Sequence, residues 1–106
     1  PSLGQDDIRA ATEVLRSGLI AGGPVVGQFE RGMAAYLGVQ GGVAVNSGTV
    51  ALELALRAMG VGHGDNVILP SYVCPAPWLA VQRVGAQARI VDIDPAPYNL
   101  DPHKVR

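Results

Sequence analysis

Three small residues, Ser47, Gly48 and Thr49, have the types and the spacing needed to hold an anion. They follow a short apolar run, Val43 to Val45, and precede a stretch without Gly or Pro. A turn that enters a helix presents unpaired backbone N–H groups and the positive end of the helix dipole, and hydroxyl side chains can add donors. Gly48 can adopt backbone angles that other residues avoid. The pattern fits a phosphate site, and it also fits an ordinary strand-to-helix turn capped by Ser47 or Thr49.

Hydrophobic periodicity and Gly or Pro stops predict four helices and three strands around this turn. The predicted helices are Asp6–Ser17, Val26–Leu37, Thr49–Met59 and Pro75–Val84, and the predicted strands are Val43–Val45, Asn66–Leu69 and Ala88–Ile93. Apolar strands that alternate with helices indicate an α/β fold with a parallel sheet covered by helices. Ligands of such sheets bind beyond the carboxyl ends of the strands. These ends are residues 46–49, 70–74 and 92–94, which we expect to line one crevice.

The composition narrows the class of protein. The 106 residues are 48% hydrophobic and 16% charged, with a net charge of -1. This composition indicates a packed core rather than disorder or a nucleic-acid surface. No apolar run reaches the roughly 18 residues of a membrane span, and Asp6, Asp7 and Glu13 exclude a signal peptide. A single cysteine, Cys74, suits a reducing compartment, so we expect a cytoplasmic protein.

Both ends of the chain look cut. The sequence begins at Pro1 without an initiator Met. Near the other end, Asp101 and Pro102 predict the start of a helix, yet only four residues follow them, up to Arg106. We therefore expect an incomplete piece of a larger domain.

Several segments together resemble the N-terminal part of the DegT-type (DegT/DnrJ/StrS) sugar aminotransferases, and the resemblance covers essentially the whole chain. The family consists of pyridoxal 5'-phosphate (PLP) enzymes with the aspartate-aminotransferase (type I PLP) fold. The segments, in chain order, are Ser17-Gly18 through Gly23-Pro24, Phe29-Glu30, Tyr36-Leu37-Gly38, Asn46 to Leu52, Gly62 to Ile68, Pro70-Ser71, Gly85-Ala86, Val91 to Asp94 and Tyr98 to Pro102.

The resemblance implies a domain organisation. Residues 1–42 would be N-terminal helices and a loop that pack on the large domain, and residues 43–106 its first three strand-helix units, incomplete here. In the family's topology the first strand lies away from the second and third, with later strands between them. Strand 43–46 would then lack its neighbours, and we expect the free chain to fold poorly or to aggregate.

The resemblance also implies a cofactor site. Ser47, Gly48 and Thr49 would hold the PLP phosphate, mainly through Gly48 and Thr49. Cys74 falls where family members often stack an aromatic residue on the pyridine ring, while Tyr72 and Trp78 are out of register. A sulfur atom can contact a ring as a soft, polarisable group, and the alternative is that Cys74 is a small buried hydrophobe. The loop Leu19 to Val26 would lie near the active site and the dimer contact, or be a plain Gly-Pro connection.

The chain has no catalytic residue that the resemblance identifies. Transamination needs a Schiff-base lysine and an acid at the pyridine nitrogen, and the only lysine, Lys104, matches no such motif. In the family both groups lie further downstream. The resemblance implies an N-terminal portion of an aminotransferase that acts on a nucleotide-linked keto sugar, usually with glutamate as donor, as a homodimer, and inactive when alone. The alternative is a non-catalytic remnant, or a partial subunit that needs a partner chain. Neither His63 nor His103 suggests a metal site.

Overall fold

Seven regular elements make up the structure, a computed structural model that describes residues 2–105. In chain order they are α1 (Gln5–Ser17), α2 (Pro24–Leu37), α3 (Gly48–Ala58), β1 (Asn66–Pro70), α4 (Ala76–Arg83), β2 (Gln87–Val91) and a 3-10 turn (Pro102–Lys104). The four predicted helices are confirmed to within two residues at each end. Within residues 2–105 no helix is long and apolar enough to cross a membrane.

The chain divides into two compact units, residues 1–44 and 45–106. The first contains α1 and α2, and the second contains α3, α4 and the strands. The sequence-based assignment of residues 1–42 and 43–106 to parts of a larger fold concerns a whole protein, and it remains a prediction.

The first unit owes its helix boundaries to local residue preferences. Asp6 and Asp7 lie in the first turn of α1, and Gly18 ends that helix with a left-handed φ of 72°. Helix α2 begins at Pro24, two residues before the predicted start, because proline is well suited to a first turn that needs no N–H partner. Ala34 is the one buried apolar residue of this unit among residues 2–44. Both helices therefore keep their apolar faces exposed.

The second unit contains the small core. Strands β1 and β2 are parallel, with Asn66 paired to Gln87 and Pro70 to Val91, and they are joined through α4. Leu69, Val81 and Ala86 form the buried cluster between the sheet and α4. The opposite sheet face is open, since Ile68, which alternates with Leu69 along β1, is 44% exposed. The predicted parallel pairing is confirmed, whereas helices cover only one face of the sheet.

The predicted strand Val43–Val45 is wrong for this structure. The described residues 2–105 contain a two-stranded sheet, and residues 43–45 pair with neither strand. A strand needs a neighbour for its backbone groups, and here the Ala44 N–H donates to Glu30 Oε1 at 2.8 Å instead. The third predicted strand also ends early, at Val91, because Ile93 pairs with Leu100 in an antiparallel bridge.

Glu53 connects α3 to α4. Its Oε1 atom accepts a hydrogen bond from Arg57 at 2.9 Å, and its Oε2 atom lies 3.5 Å from Arg83. Arg57 also donates to the Arg83 carbonyl at 3.0 Å. The hydrogen bond from Arg57 lowers the pKa of Glu53 below its ordinary value of 4.5, against the opposing effect of burial. The ionised carboxylate therefore favours the folded state.

We expect Glu53→Gln to lower the Tm of the natural protein at neutral pH. Because the folded-state pKa is lowered, the contribution of Glu53 is present above its unfolded pKa and disappears as pH falls through the folded value. The Tm difference between variant and wild type should therefore shrink in acid. Thermal melts at neutral pH and below pH 4.5 measure it, with Glu13→Gln in α1 as control. A Tm difference that persists unchanged in acid would contradict the ionic role.

Candidate functional site

Ser47 is the N-cap of α3. Its backbone is extended, with φ −161° and ψ 155°, and its Oγ accepts a hydrogen bond from the Val50 N–H at 3.3 Å. Its carbonyl accepts from the Ala51 N–H at 3.0 Å. The capping interpretation of this turn is therefore confirmed for Ser47, whereas Thr49 lies inside the helix.

Two backbone donors at this turn remain available. The first N–H groups of an α-helix have no partner within the helix. Ser47 satisfies the N–H of Val50, whereas the N–H groups of Gly48 and Thr49 find no acceptor within residues 2–105. Gly48 is exposed and Thr49 half-buried. Two adjacent free donors at the positive end of a helix are suited to binding an anion.

Gly48 does not need the conformational freedom of glycine. Gly48 can adopt backbone angles that other residues avoid but does not use them here, because it is the first helical residue and is absent from the positive-φ glycines of residues 2–105. Packing does not require glycine either, since a Cβ placed there would meet no atom within 4 Å. What the missing side chain provides is open access to the N–H groups, which fits a bound phosphate.

The packing of α3 against α4 places the Ser47-Gly48-Thr49 turn at the carboxyl end of the sheet. Arg57, near the end of α3, bonds to the carbonyl of Arg83, at the end of α4. Helices α3 and α4 pack side by side with their C-terminal ends together, so their N-terminal ends share the other end of the pair. Helix α4 starts just after the carboxyl end of β1. The free donors thus lie at the end of the sheet where α/β proteins bind ligands.

Cys74 lies in the segment between β1 and α4, and its thiol is exposed. The interpretation of Cys74 as a small buried hydrophobe is therefore wrong for this structure. The segment is fixed at its start, where the Ser71 N–H donates to the Val91 carbonyl at 2.8 Å. Whether the sulfur contacts a cofactor ring remains a prediction. Tyr72 and Trp78, which are out of register with the stacking position, are 71% and 45% exposed.

A hairpin after β2 also lies at the carboxyl end of the sheet, and no pattern in the sequence predicts its antiparallel pairing. The Asp101 N–H donates to the Asp92 carbonyl, and the Asp94 N–H to the Asn99 carbonyl at 2.8 Å. At its tip Tyr98 has a φ of 58°, and its ring centroid lies 5.9 Å from that of Tyr72. The backbone groups of Asp92 and Asp94 therefore close the hairpin.

The described residues of the site supply hydrogen-bond donors for a ligand. No cluster of three His, Cys, Asp or Glu residues that could hold a metal occurs in the described part of the chain. Lys104 lies exposed in the 3-10 turn, where the Asp101 side chain accepts from the His103 N–H at 2.9 Å. Only this short turn forms where the sequence predicts a helix start.

The loop Leu19 to Val26 lies in the first unit. With residues of α1 and α2 it borders a largely apolar groove, and Leu19, Ile20 and Val25 are 56%, 70% and 53% exposed. Its suggested part in an active site or a dimer contact remains a prediction.

Comparison with known proteins identifies one family. The model of the DegT/DnrJ/EryC1/StrS aminotransferase family matches residues 1–106. The chain is 42% identical over 105 residues to the spore coat polysaccharide biosynthesis protein SpsC of Bacillus subtilis, which covers 99% of this chain and 27% of the relative. It is 46% identical over 83 residues to the GDP-perosamine synthase of Caulobacter vibrioides, covering 78% of this chain and 22% of the relative.

The solved structures agree on the fold. The putative sugar aminotransferase Spr1654 from Streptococcus pneumoniae, in its apo-form, superimposes with a TM-score of 0.91 and 35% identity over 99% of this chain and 26% of its own. Spr1654 was also solved in PMP- and PLP-forms, which match with TM-scores of 0.91 and 0.87. The expected type I PLP fold is confirmed, as is PLP as the cofactor of these relatives. The chain spans about a quarter of the length of the relatives it matches.

Proposed function

Because the chain belongs to the DegT/DnrJ/EryC1/StrS aminotransferase family, we propose that it is the N-terminal portion of a PLP-dependent aminotransferase. The whole enzyme transfers an amino group, with glutamate as donor, to a nucleotide-linked keto sugar. It works in the cytoplasm as a homodimer, and the chain binds neither nucleic acid nor a membrane.

The observation that carries the proposal is the pair of free N–H groups at Gly48 and Thr49. They hold the phosphate of PLP, while the Ser47 side chain keeps the first turn of α3 closed. Cys74 lies on the segment that runs beside the pyridine ring. When bound, the cofactor acts as an electron sink for the carbon atoms between which a proton moves. The contribution of this chain is to bind and orient the cofactor.

The groups that move the proton come from elsewhere in the enzyme. Lys104 is the only lysine of the sequence, and it lies in an exposed turn rather than at the free donors of α3. The 106 residues alone therefore do not transaminate. The chain covers about a quarter of the length of these relatives, which supports the inference that the proton-moving groups belong to the rest of the enzyme.

The names of two relatives support the substrate class. GDP-perosamine synthase is named for a nucleotide-linked amino sugar, and SpsC for polysaccharide biosynthesis. Both fit an enzyme that supplies an amino sugar in nucleotide-linked form.

Absorbance measurements on the purified natural protein test the proposal. We expect it to bind PLP and show the absorbance band of an enzyme-bound cofactor. Glutamate should convert the cofactor to its amine form, and a nucleotide-linked keto sugar should reverse that change. The isolated 106-residue chain, measured in parallel, should do neither. A full-length protein that binds no PLP under conditions that load a family member would refute the proposal.

The alternative is a non-catalytic remnant or a partial subunit that needs a partner chain. Reading the coding sequence beyond the codon for Arg106 separates the two. An open frame that encodes an aspartate and a lysine in further strand-helix units supports the enzyme. A stop codon directly after Arg106 supports the alternative.

A further inference from the structure

Two segments that leave the carboxyl ends of neighbouring strands meet through their tyrosines. Tyr72 follows β1, and Tyr98 lies at the tip of the hairpin that follows β2. Their ring centroids are 5.9 Å apart with an angle of 44° between the planes. This distance is within the 4.5–7 Å range of favourable aromatic pairs. The contact joins the Tyr98 hairpin to the segment that carries Cys74.

Tyr98 occupies an unfavourable backbone conformation. Its φ of 58° makes it the one residue other than glycine with a positive φ among residues 2–105. A bulky side chain is disfavoured there, and Gly or Asn would adopt the same angles at lower cost. The turn around Tyr98 is closed by its own N–H, which donates to the Asp94 carbonyl at 2.9 Å, and by the Ala96 N–H, which donates to Asp94 Oδ1 at 2.9 Å. The backbone bonds explain the turn, but they do not explain a tyrosine in it.

We propose that Tyr98 is a positioning residue whose ring, packed on Tyr72, holds the segment 71–74 at the carboxyl end of the sheet. The proposal rests on the proposed function in one respect: this segment is the one that runs beside the PLP ring. Tyr98 acts through Tyr72. Strained residues of this kind persist where the surrounding structure holds them, and they cluster at functional sites.

The substitution Tyr98→Gly separates the effect of the ring contact from the effect of the backbone conformation. Glycine relieves the unfavourable φ, so the hairpin should form at least as well. The ring contact is lost, however, so segment 71–74 should loosen. The Ser71 N–H donates to the Val91 carbonyl at 2.8 Å, and in the full-length apoprotein it should exchange with deuterium about three- to tenfold faster, a factor that matches the strength of an aromatic pair. The dissociation constant of PLP should rise by a similar factor, while the Tm of the apoprotein does not fall.

Three further variants complete the test. Tyr98→Phe keeps the ring, so the exchange rate of the Ser71 N–H and the dissociation constant of PLP should both stay at their wild-type values. Tyr72→Ala leaves the hairpin sequence intact and should reproduce the effect of Tyr98→Gly, and the double variant should add nothing more. Tyr36→Ala removes an 85% exposed tyrosine from α2 and serves as the control. Exchange is followed by mass spectrometry of a peptide that contains Ser71.

The outcomes distinguish this proposal from the proposed function. If Tyr98→Gly leaves the exchange of the Ser71 N–H at the wild-type rate, the positioning role is wrong. The same conclusion follows if the effects of Tyr98→Gly and Tyr72→Ala simply add. If instead the wild-type protein binds no PLP, the proposed function fails, and the exchange rates of the apoprotein still decide the role of Tyr98.

Discussion

The substitution Gly48→Asp is expected to reduce the affinity of the full-length protein for PLP by at least about 100-fold. Two unit charges about 5 Å apart near a protein surface repel each other by roughly 3 kcal/mol, which corresponds to a factor of this size. The new carboxylate would lie beside the free N–H groups of Gly48 and Thr49 that hold the phosphate. The same carboxylate is favourable for the helix, because it lies at the positive end of the dipole of α3. Affinity should therefore fall while the Tm of the apoprotein does not.

Two control variants test whether this effect arises at the turn formed by Ser47, Gly48 and Thr49. Gln5→Asp places the same charge at the first position of α1 and should leave PLP affinity unchanged. Gly48→Ala adds a Cβ that meets no atom of the chain within 4 Å and favours the helix, so any loss of affinity reports steric obstruction of the phosphate. Titration of each apoprotein with PLP, followed by absorbance, gives the dissociation constants. Wild-type affinity in Gly48→Asp would mean that the phosphate binds elsewhere.

The isolated 106-residue chain is expected to lack a cooperative thermal transition. A folded monomer of 11.0 kDa exposes about 5,600 Å² of surface, whereas this chain exposes 8302 Å². Five hydrophobic residues of the described chain are buried, and Val81 is the largest of them below 2% exposure. Burial on this scale does not balance the conformational entropy lost on folding. The exposed apolar surface requires cover from other chain segments or from a partner.

Circular dichroism melts and binding of a hydrophobic dye measure this prediction. The isolated chain should melt without a sharp midpoint, bind the dye and aggregate as its concentration rises. The full-length protein should melt cooperatively and bind little dye under the same conditions. A sharp, reversible melt of a monomeric 106-residue chain would contradict the prediction, and would show that the small core around Val81 is sufficient.

The helices and the parallel strand pair could be predicted from the sequence because their signals are local. Gly18 and Gly38 end α1 and α2 in the left-handed conformation that glycine favours. Leu69 and Val81 meet in the core because a strand-helix-strand unit brings its apolar faces together. Residues 43–45 could not be assigned correctly in the same way, since an apolar run becomes a strand only where a neighbouring strand is available.

The candidate site was predictable in its residue types and less so in its geometry. Ser47 was predictable as a cap because a serine before a helical pattern is a strong N-terminal signal. The φ of Gly48 could not be predicted, because glycine permits several conformations and the sequence does not determine which one is used. The Tyr72–Tyr98 contact joins residues 26 positions apart, and it depends on a hairpin for which the sequence shows no periodic signal. Long-range contacts of this kind come from the tertiary structure.

A crystal structure of the full-length protein with PLP tests the central claim most directly. The account predicts phosphate oxygens within about 2.7–3.2 Å of the backbone nitrogens of Gly48 and Thr49, the usual hydrogen-bond distance. It also predicts that Ser47 Oγ accepts from the Val50 N–H there too, since this cap is formed by the chain's own groups. A phosphate group held by other residues, with the N–H groups of Gly48 and Thr49 facing water, would contradict the account.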